Sequence, residues 1–269
     1  MKNCKIFAVA NQKGGTGKSS TSCNLANALA AEGHRVLCAD LDPQANLSMN
    51  FGIESPDELK MTMHEVLSII MDGAELPDKS EYVRYGNNLD IIPSNINLSV
   101  TDINLRNELG GERVLSELLE PLRAEYEYMI LDTSPSIGML TINALAACDS
   151  VIIPVSPQLW SATGLTDLVQ TILKIKRKIN PRIEIEGILL TMCDERTRLF
   201  RDAKALLDDF CEGKIRIFDT RIPNTVKVGE ANYGGISIMD LDAKNKAAVA
   251  YTEFAKEVIG HAHCDKATA

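Results

Sequence analysis

No stretch of this 269-residue chain approaches the roughly 20 consecutive apolar residues that a membrane span requires. The opening segment, MKNCKIFAVANQKGG, reaches a Gln-Lys-Gly-Gly loop after one short apolar run. It is too short for a signal peptide and offers no small-residue cleavage site. The seven cysteines, at 4, 23, 38, 148, 193, 211 and 264, are odd in number and include no C-x-x-C pair. A disulfide framework and a closed zinc site are therefore not expected, and the rival of a subunit-bridging iron–sulfur cluster lacks a convincing mate for Cys148. Reduced thiols packed as small hydrophobes are expected instead, Cys38 in RVLCADL among them. Histidine is scarce, and His261 and His263 read as part of a frayed polar end. The single tryptophan, Trp160, reads as a packing residue. Basic charge is also in deficit: 28 Lys and Arg against 37 Asp and Glu give −9, which excludes a surface coated for nucleic acid but allows a local patch.

With 45% apolar and 24% charged residues, the chain has the composition of a globular protein. At this length roughly three-quarters of the unfolded surface is buried on folding, so no covalent staples are needed. Apolar runs rich in β-formers fall at Lys5–Ala10, Arg35–Leu41, Leu89–Ile92, Tyr128–Leu131, Ser150–Val155 and Glu184–Met192, with a weaker run at Ile215–Phe218. Helical patterns lie between them: Ser19–Ala31, Gly111–Glu125, Met139–Ala147, Gly164–Ile179, Leu199–Phe210 and Ala243–Ile259. Near-continuous hydrophobic strands alternating with helices predict an α/β fold, a mainly parallel twisted sheet with helices on both faces. No repeat, low-complexity tract or linker divides the chain, so residues 1–269 are expected to form one domain without an N-terminal helix-turn-helix extension.

Charge is unevenly spread. Ile53–Asp90 carries nine acids and three bases, whereas Thr171–Lys204 carries nine bases and five acids. Part of the second block, Lys174, Lys176, Arg177 and Lys178, closes a predicted helix, where cations complement the macrodipole without any ligand.

The most informative segment is Lys13-Gly14-Gly15-Thr16-Gly17-Lys18-Ser19, between a strand and a helix. Its glycines let successive N–H groups converge on an anion, and the helix N-terminus adds partial positive charge at the same point. Lys18 can reach the β- and γ-phosphates of a nucleotide, and the Ser19 hydroxyl can ligate Mg²⁺. The standard pattern would place Gly at position 12, where this chain has Gln12, and a second lysine, Lys13, opens the loop. Lys13 either faces solvent or serves a second nucleotide, most simply that of a facing subunit. Asp40 and Asp42, two apart at the end of the second strand, point to the same side at the edge where open α/β sheets bind nucleotides.

NQKGGTGKSS, ADLDPQAN and ILDTSPSIGMLTINAL together resemble the ParA/Soj branch of the ParA–MinD ATPases, the deviant Walker A class of P-loop NTPases. The likeness continues through VIIPVSPQLWSATGL, GILLTMCDERTRL and IPNTVKVGEA, and is weakest at about 55–90. It implies a cytoplasmic ATPase that uses ATP and Mg²⁺ and forms an ATP-dependent sandwich homodimer with Lys13 reaching the partner's phosphates. Such a dimer binds nonspecific DNA, associates with the nucleoid, and is released when a ParB-like centromere-binding partner stimulates hydrolysis. Catalysis would rest on Lys13, Lys18 and Asp42, the last activating water. Gly14, Gly15, Thr16, Gly17, Ser19 and Ser20 would complete the phosphate site. The metal would be held by Ser19 and Asp132, with Asp40 in its outer shell. Thr191-Met192 and Ile222-Pro223 match segments that flank adenine, which nominates Met192 and Pro223. The resemblance commonly has D-x-P-P where this chain has Asp132-Thr133-Ser134-Pro135, so one proline is lost.

For DNA, Arg196, Arg198 and Arg201, with Lys204 nearby, and Lys227 further on, form the candidate contact set. Phosphate contacts need only cations and backbone donors. Asn224 stands where the resemblance favours Arg, and the alternative for Arg198 is an i,i+4 pair with Asp202. A membrane role is disfavoured because GHAHCDKATA has no apolar face to insert. The rival reading is a MinD-like, cargo-positioning or replication-regulating switch that does not use DNA as its track.

Overall fold

The structure is a computed structural model that describes residues 4–158 and 161–268, with side chains as far as 261. Trp160 and the side chain of His263 lie outside the described residues.

The described residues form seven strands: β1 (Lys5–Val9), β2 (Val36–Leu41), β3 (Leu89–Ile92), β4 (Tyr128–Thr133), β5 (Ser150–Val155), β6 (Glu184–Cys193) and β7 (Ile217–Pro223). The helices are α1 (Lys18–Ala31), α2 (Asn46–Asn50), α3 (Met63–Met71), α4 (Lys79–Tyr82), α5 (Leu98–Asn104), α6 (Val114–Leu122), α7 (Met139–Ala147), α8 (Ala162–Lys178), α9 (Arg198–Cys211), α10 (Val226–Tyr233), α11 (Ile238–Asp242) and α12 (Lys246–Thr268). The strands form one sheet in the order β3-β2-β4-β1-β5-β6-β7, every neighbouring pair parallel. This is the expected parallel α/β architecture of a P-loop NTPase.

Alternation along the strands divides the core. In β1, Ile6 and Ala8 join one apolar cluster with Leu67, Leu118, Ala144, Leu168 and Leu207, whereas Phe7 and Val9 join a second with Leu25, Leu47, Ile238 and Phe254. One face is thus covered by α3, α6, α7, α8 and α9, and the other by α1, α2, α11 and α12. Since β1 is central and the chain leaves it in both directions along the sheet, the loop after Val9 sits at the topological switch point, where side crevices open.

Several boundaries differ from expectation. The helix expected over Gly111–Glu125 is α6, Val114–Leu122; Gly111 lies before it in a turn so close to the Leu105 carbonyl that a Cβ there would come within 2.1 Å of its oxygen. The final helix begins at Lys246 rather than Ala243, with the Asn245 side chain accepting from the Ala247 N–H at 3.0 Å. β7 runs over Ile217–Pro223 rather than Ile215–Phe218. Within 55–90, where the resemblance is weakest, α3 is opened by a capping box: His64 N–H donates to Thr62 Oγ1 at 3.3 Å, and Thr62 N–H donates to Glu65 at 2.8 Å. The motif T-x-x-E before an apolar run carried that signal.

Candidate nucleotide site

The phosphate loop begins on Asn11, whose amide donates to the Pro154 carbonyl at 2.7 Å while its Oδ1 accepts from the Lys13 N–H at 3.0 Å. That clamp ties the loop to the end of β5. Gly15 and Gly17 take φ of 72° and 81°, the left-handed region that lets the chain double back before α1. Gly17 caps α1, and no side chain caps that end and no acid stands in its first turn. Its N–H groups are left for an anion. Thr191 holds the loop from the other side, its hydroxyl donating to the Thr16 carbonyl at 2.8 Å.

Lys18 is buried, and burial lowers its pKa against the raising effect of Asp132 and Asp42. Its ammonium turns back to donate to the Lys13 carbonyl at 3.3 Å. Lys13 itself is exposed; its side chain lies toward Gly164 at the start of α8 and does not line the main cavity.

Asp40 and Asp132 are register partners across β2 and β4, both fully buried. Asp40 accepts from the Ser48 N–H and hydroxyl at 2.8 and 2.7 Å and from the Asp42 N–H at 3.1 Å. Its pKa is nonetheless raised, by burial first and by the Asp132 charge second. Asp132 is raised by burial too, against the nearby Ser19 and Ser22 hydroxyls and the Lys18 charge. The Ser22 hydroxyl donates to its Oδ1 at 2.8 Å, while Oδ2 is buried without a partner. An unpaired carboxylate oxygen beside the Ser19 hydroxyl is a donor set that suits a hard, oxygen-seeking cation such as Mg²⁺. Asp42 stands apart from this pair on the cavity wall, its Oδ1 accepting from the Gln44 N–H at 3.0 Å.

The cavity has a volume of about 950 Å³ and opens from Gly14, Gly15, Gly17, Lys18, Ser19 and Ser20 past Asp42 and Pro135. Met192, with φ of 53°, lies on its wall. Pro223 does not; it ends β7 opposite Cys193. Thr16 is also absent from the lining, its hydroxyl directed to the Lys13 carbonyl at 3.4 Å. The far wall comes instead from Asn50, Gly52–Glu54 and Asn232–Gly235, which the sequence did not single out. Asn232 is fixed there by its amide donating to the Ser20 hydroxyl at 2.8 Å.

The loop after Asp132 is held despite its missing proline. Thr133 donates to the Val9 carbonyl at 2.9 Å, Thr141 donates to the Ser136 carbonyl at 2.7 Å, and the Ser134 and Ser136 hydroxyls pair at 3.0 Å.

The expected DNA-contact residues are gathered only in part. Arg196, Arg198 and Arg201 lie at or just before the start of α9, and Lys227 in α10. Arg196 pairs with Asp194 at 2.9 Å, Arg198 with Asp202 at 3.4 Å, Lys204 with Asp208 at 2.6 Å and Lys227 with Glu230 at 2.6 Å. No described helix is long and apolar enough to cross a membrane.

The AAA domain profile matches residues 4–185. The sporulation initiation inhibitor protein Soj of Bacillus subtilis is 39% identical over 260 residues, 94% of this chain and 98% of that protein. The chromosome partitioning protein ParA of Caulobacter vibrioides is 37% identical over 267 residues, covering 95% and 94% of the two chains. Among solved structures, cobyrinic acid a,c-diamide synthase from Mycobacterium smegmatis with bound ADP and magnesium superposes with a TM-score of 0.81 at 32% identity, over 96% of this chain and 95% of that one. Likeness of this extent makes the chain a member of the AAA domain family, beside Soj and ParA.

Proposed function

We propose that this protein is an ATP-hydrolysing switch for DNA partitioning, a homodimer when ATP-bound that holds nonspecific DNA and is released when a ParB-like partner stimulates hydrolysis. The observation that carries the reading is Lys18: a buried ammonium in the field of the Asp132 and Asp42 carboxylates, at an uncapped helix N-terminus, opening on a nucleotide-sized cavity. ATP would bring its phosphates to that ammonium and to the loop N–H groups, drawing Lys18 off the Lys13 carbonyl. Mg²⁺, held by Ser19 and Asp132, would neutralise charge on the β- and γ-phosphates. Asp42, on the open wall, orients and deprotonates the attacking water, while Asp40 stays fixed by Ser48. Lys13 reaches across to the partner's phosphates, consistent with a side chain exposed outside its own cavity. Rate enhancement comes from positioning and electrostatics.

The test is co-sedimentation with nonspecific DNA in ATP, ADP and no nucleotide, for wild type and for Arg196→Ala/Arg198→Ala/Arg201→Ala. An ATP-dependent gain in DNA binding is expected for wild type, and its loss without loss of basal ATPase activity for the triple variant. Wild-type protein that hydrolyses ATP but gains no DNA binding would favour the cargo-positioning switch. The same gain in the variant would remove these arginines from the DNA surface.

A further inference from the structure

The basic block at 171–204 divides sharply in the fold. Five of its nine bases, Lys174, Lys176, Arg177, Lys178 and Arg182, fall in a stretch without a single acid, and the other four share their segment with five acids. Three of those four are ion-paired within the chain, at Arg196, Arg198 and Lys204. By contrast, none of the five at the end of α8 has a carboxylate oxygen within 4.0 Å among the described residues. In a chain with nine excess acids, such a cluster concentrates the positive field at one place. Lys174, Arg177 and Lys178 are exposed and spaced i, i+3 and i+4, so they stand about 5–6 Å apart on one face of α8. Arg182 extends the row past the helix end. The macrodipole accounts for cations in the last turn only; Lys174 precedes that turn and Arg182 follows it. Leu173 is the one large apolar residue exposed on this helix, which leaves little to insert into a lipid surface.

α8 leads from the C-terminal end of β5 to the N-terminal end of β6, so its last turn lies at the sheet edge opposite the phosphate loop. None of its cations lines the nucleotide cavity.

We infer that the C-terminal end of α8, with Arg182, is a second DNA-backbone contact surface, one that acts irrespective of nucleotide. The inference rests on the DNA-partitioning reading above and adds to it a weak, permanent affinity beneath the ATP-dependent one. Such a surface keeps released monomers near the duplex, so that rebinding follows ATP capture without a long search.

The experiment is fluorescence anisotropy of a labelled random-sequence DNA duplex across a salt series, without nucleotide, in ADP and in ATP. Nucleotide-free wild type should bind weakly at low salt. Lys174→Gln/Arg177→Gln/Lys178→Gln changes exposed side chains only and should keep basal ATPase activity. Each phosphate contact contributes about −0.9 to the slope of log K against log salt, so the variant should flatten the nucleotide-free slope by up to about 2.7 and lower low-salt affinity roughly tenfold or more. The variant with substitutions at 196, 198 and 201 should keep the nucleotide-free component. Wild type with no nucleotide-free binding at low salt, or a glutamine variant with the wild-type slope, overturns the inference. Absence of the ATP-dependent gain alone, with nucleotide-free binding intact, strikes instead at the switch reading.

Discussion

At the scale of single residues, the site separates carboxylates by what surrounds them. Asp42 lines the open cavity, so Asp42→Ala should leave nucleotide binding intact while slowing hydrolysis a hundredfold or more, about 2.7 kcal/mol or greater in the barrier. ATP-bound dimer should then accumulate in size-exclusion chromatography, and turnover at the wild-type rate would rule out the assigned role. Asp40 and Asp132 are buried together, and their pKa values rise to about 8 and about 6. An acid with a raised folded-state pKa favours folding in its protonated form. That contribution is full below the unfolded value near 4 and fades as pH rises through the folded one. Ligand-free protein should therefore lose thermal stability between about pH 4 and pH 8 from these two groups. Asp40→Asn, which cannot titrate, should flatten the upper part of the profile in a pH series of thermal melts; a profile parallel to wild type would contradict the shift.

At the scale of elements, the cavity's far wall depends on how closely α2 and the α10–α11 turn approach. Gly235 has φ of 65°, and a Cβ there would lie 2.8 Å from Gly52 Cα and 3.0 Å from the Met49 carbonyl. Gly235→Ala is expected to destabilise by about 2–5 kcal/mol, combining left-handed strain with overpacking against backbone, and to weaken nucleotide binding. Gly229, inside α10 with nothing within 4 Å of a Cβ, makes the contrast. Gly229→Ala should stabilise by about 0.4–1 kcal/mol. Denaturant titrations of the two variants should move in opposite directions, and a shared direction would mean that the close approach of Gly52 and Gly235 is not what closes the wall.

At the scale of the whole molecule, one exposed lysine bears on assembly. Lys13 lies outside its own nucleotide cavity, and the proposed function gives it the phosphates of a second copy of the chain to meet. Lys13→Ala should bind ATP within about threefold of wild type, under ~0.7 kcal/mol, yet stay monomeric in ATP by sedimentation velocity. Normal ATP-dependent dimers would leave Lys13 a bystander. The charge distribution works at the same scale: a net −9 keeps the molecule from DNA at long range, and only the clustered cations oppose it.

Local pattern sufficed for what depends on local chemistry. Near-continuous apolar strands, helices between them and a glycine-lysine loop at a strand–helix junction determined the parallel α/β class, the candidate phosphate loop and the placing of Asp40, Asp42 and Asp132 at strand ends. The T-x-x-E box of α3 was equally local and could have been read there. What only the tertiary structure decided were pairings between segments far apart in the chain: Ser22 on Asp132, Asn232 on Ser20, and the Gly52–Gly235 contact that closes the cavity while Pro223 stays outside it. Ion pairing was divided in the same way. Arg198–Asp202 follows from helical spacing, but that the end of α8 stands clear of every described carboxylate depends on which segments the fold sets beside it, and no spacing along one segment encodes that.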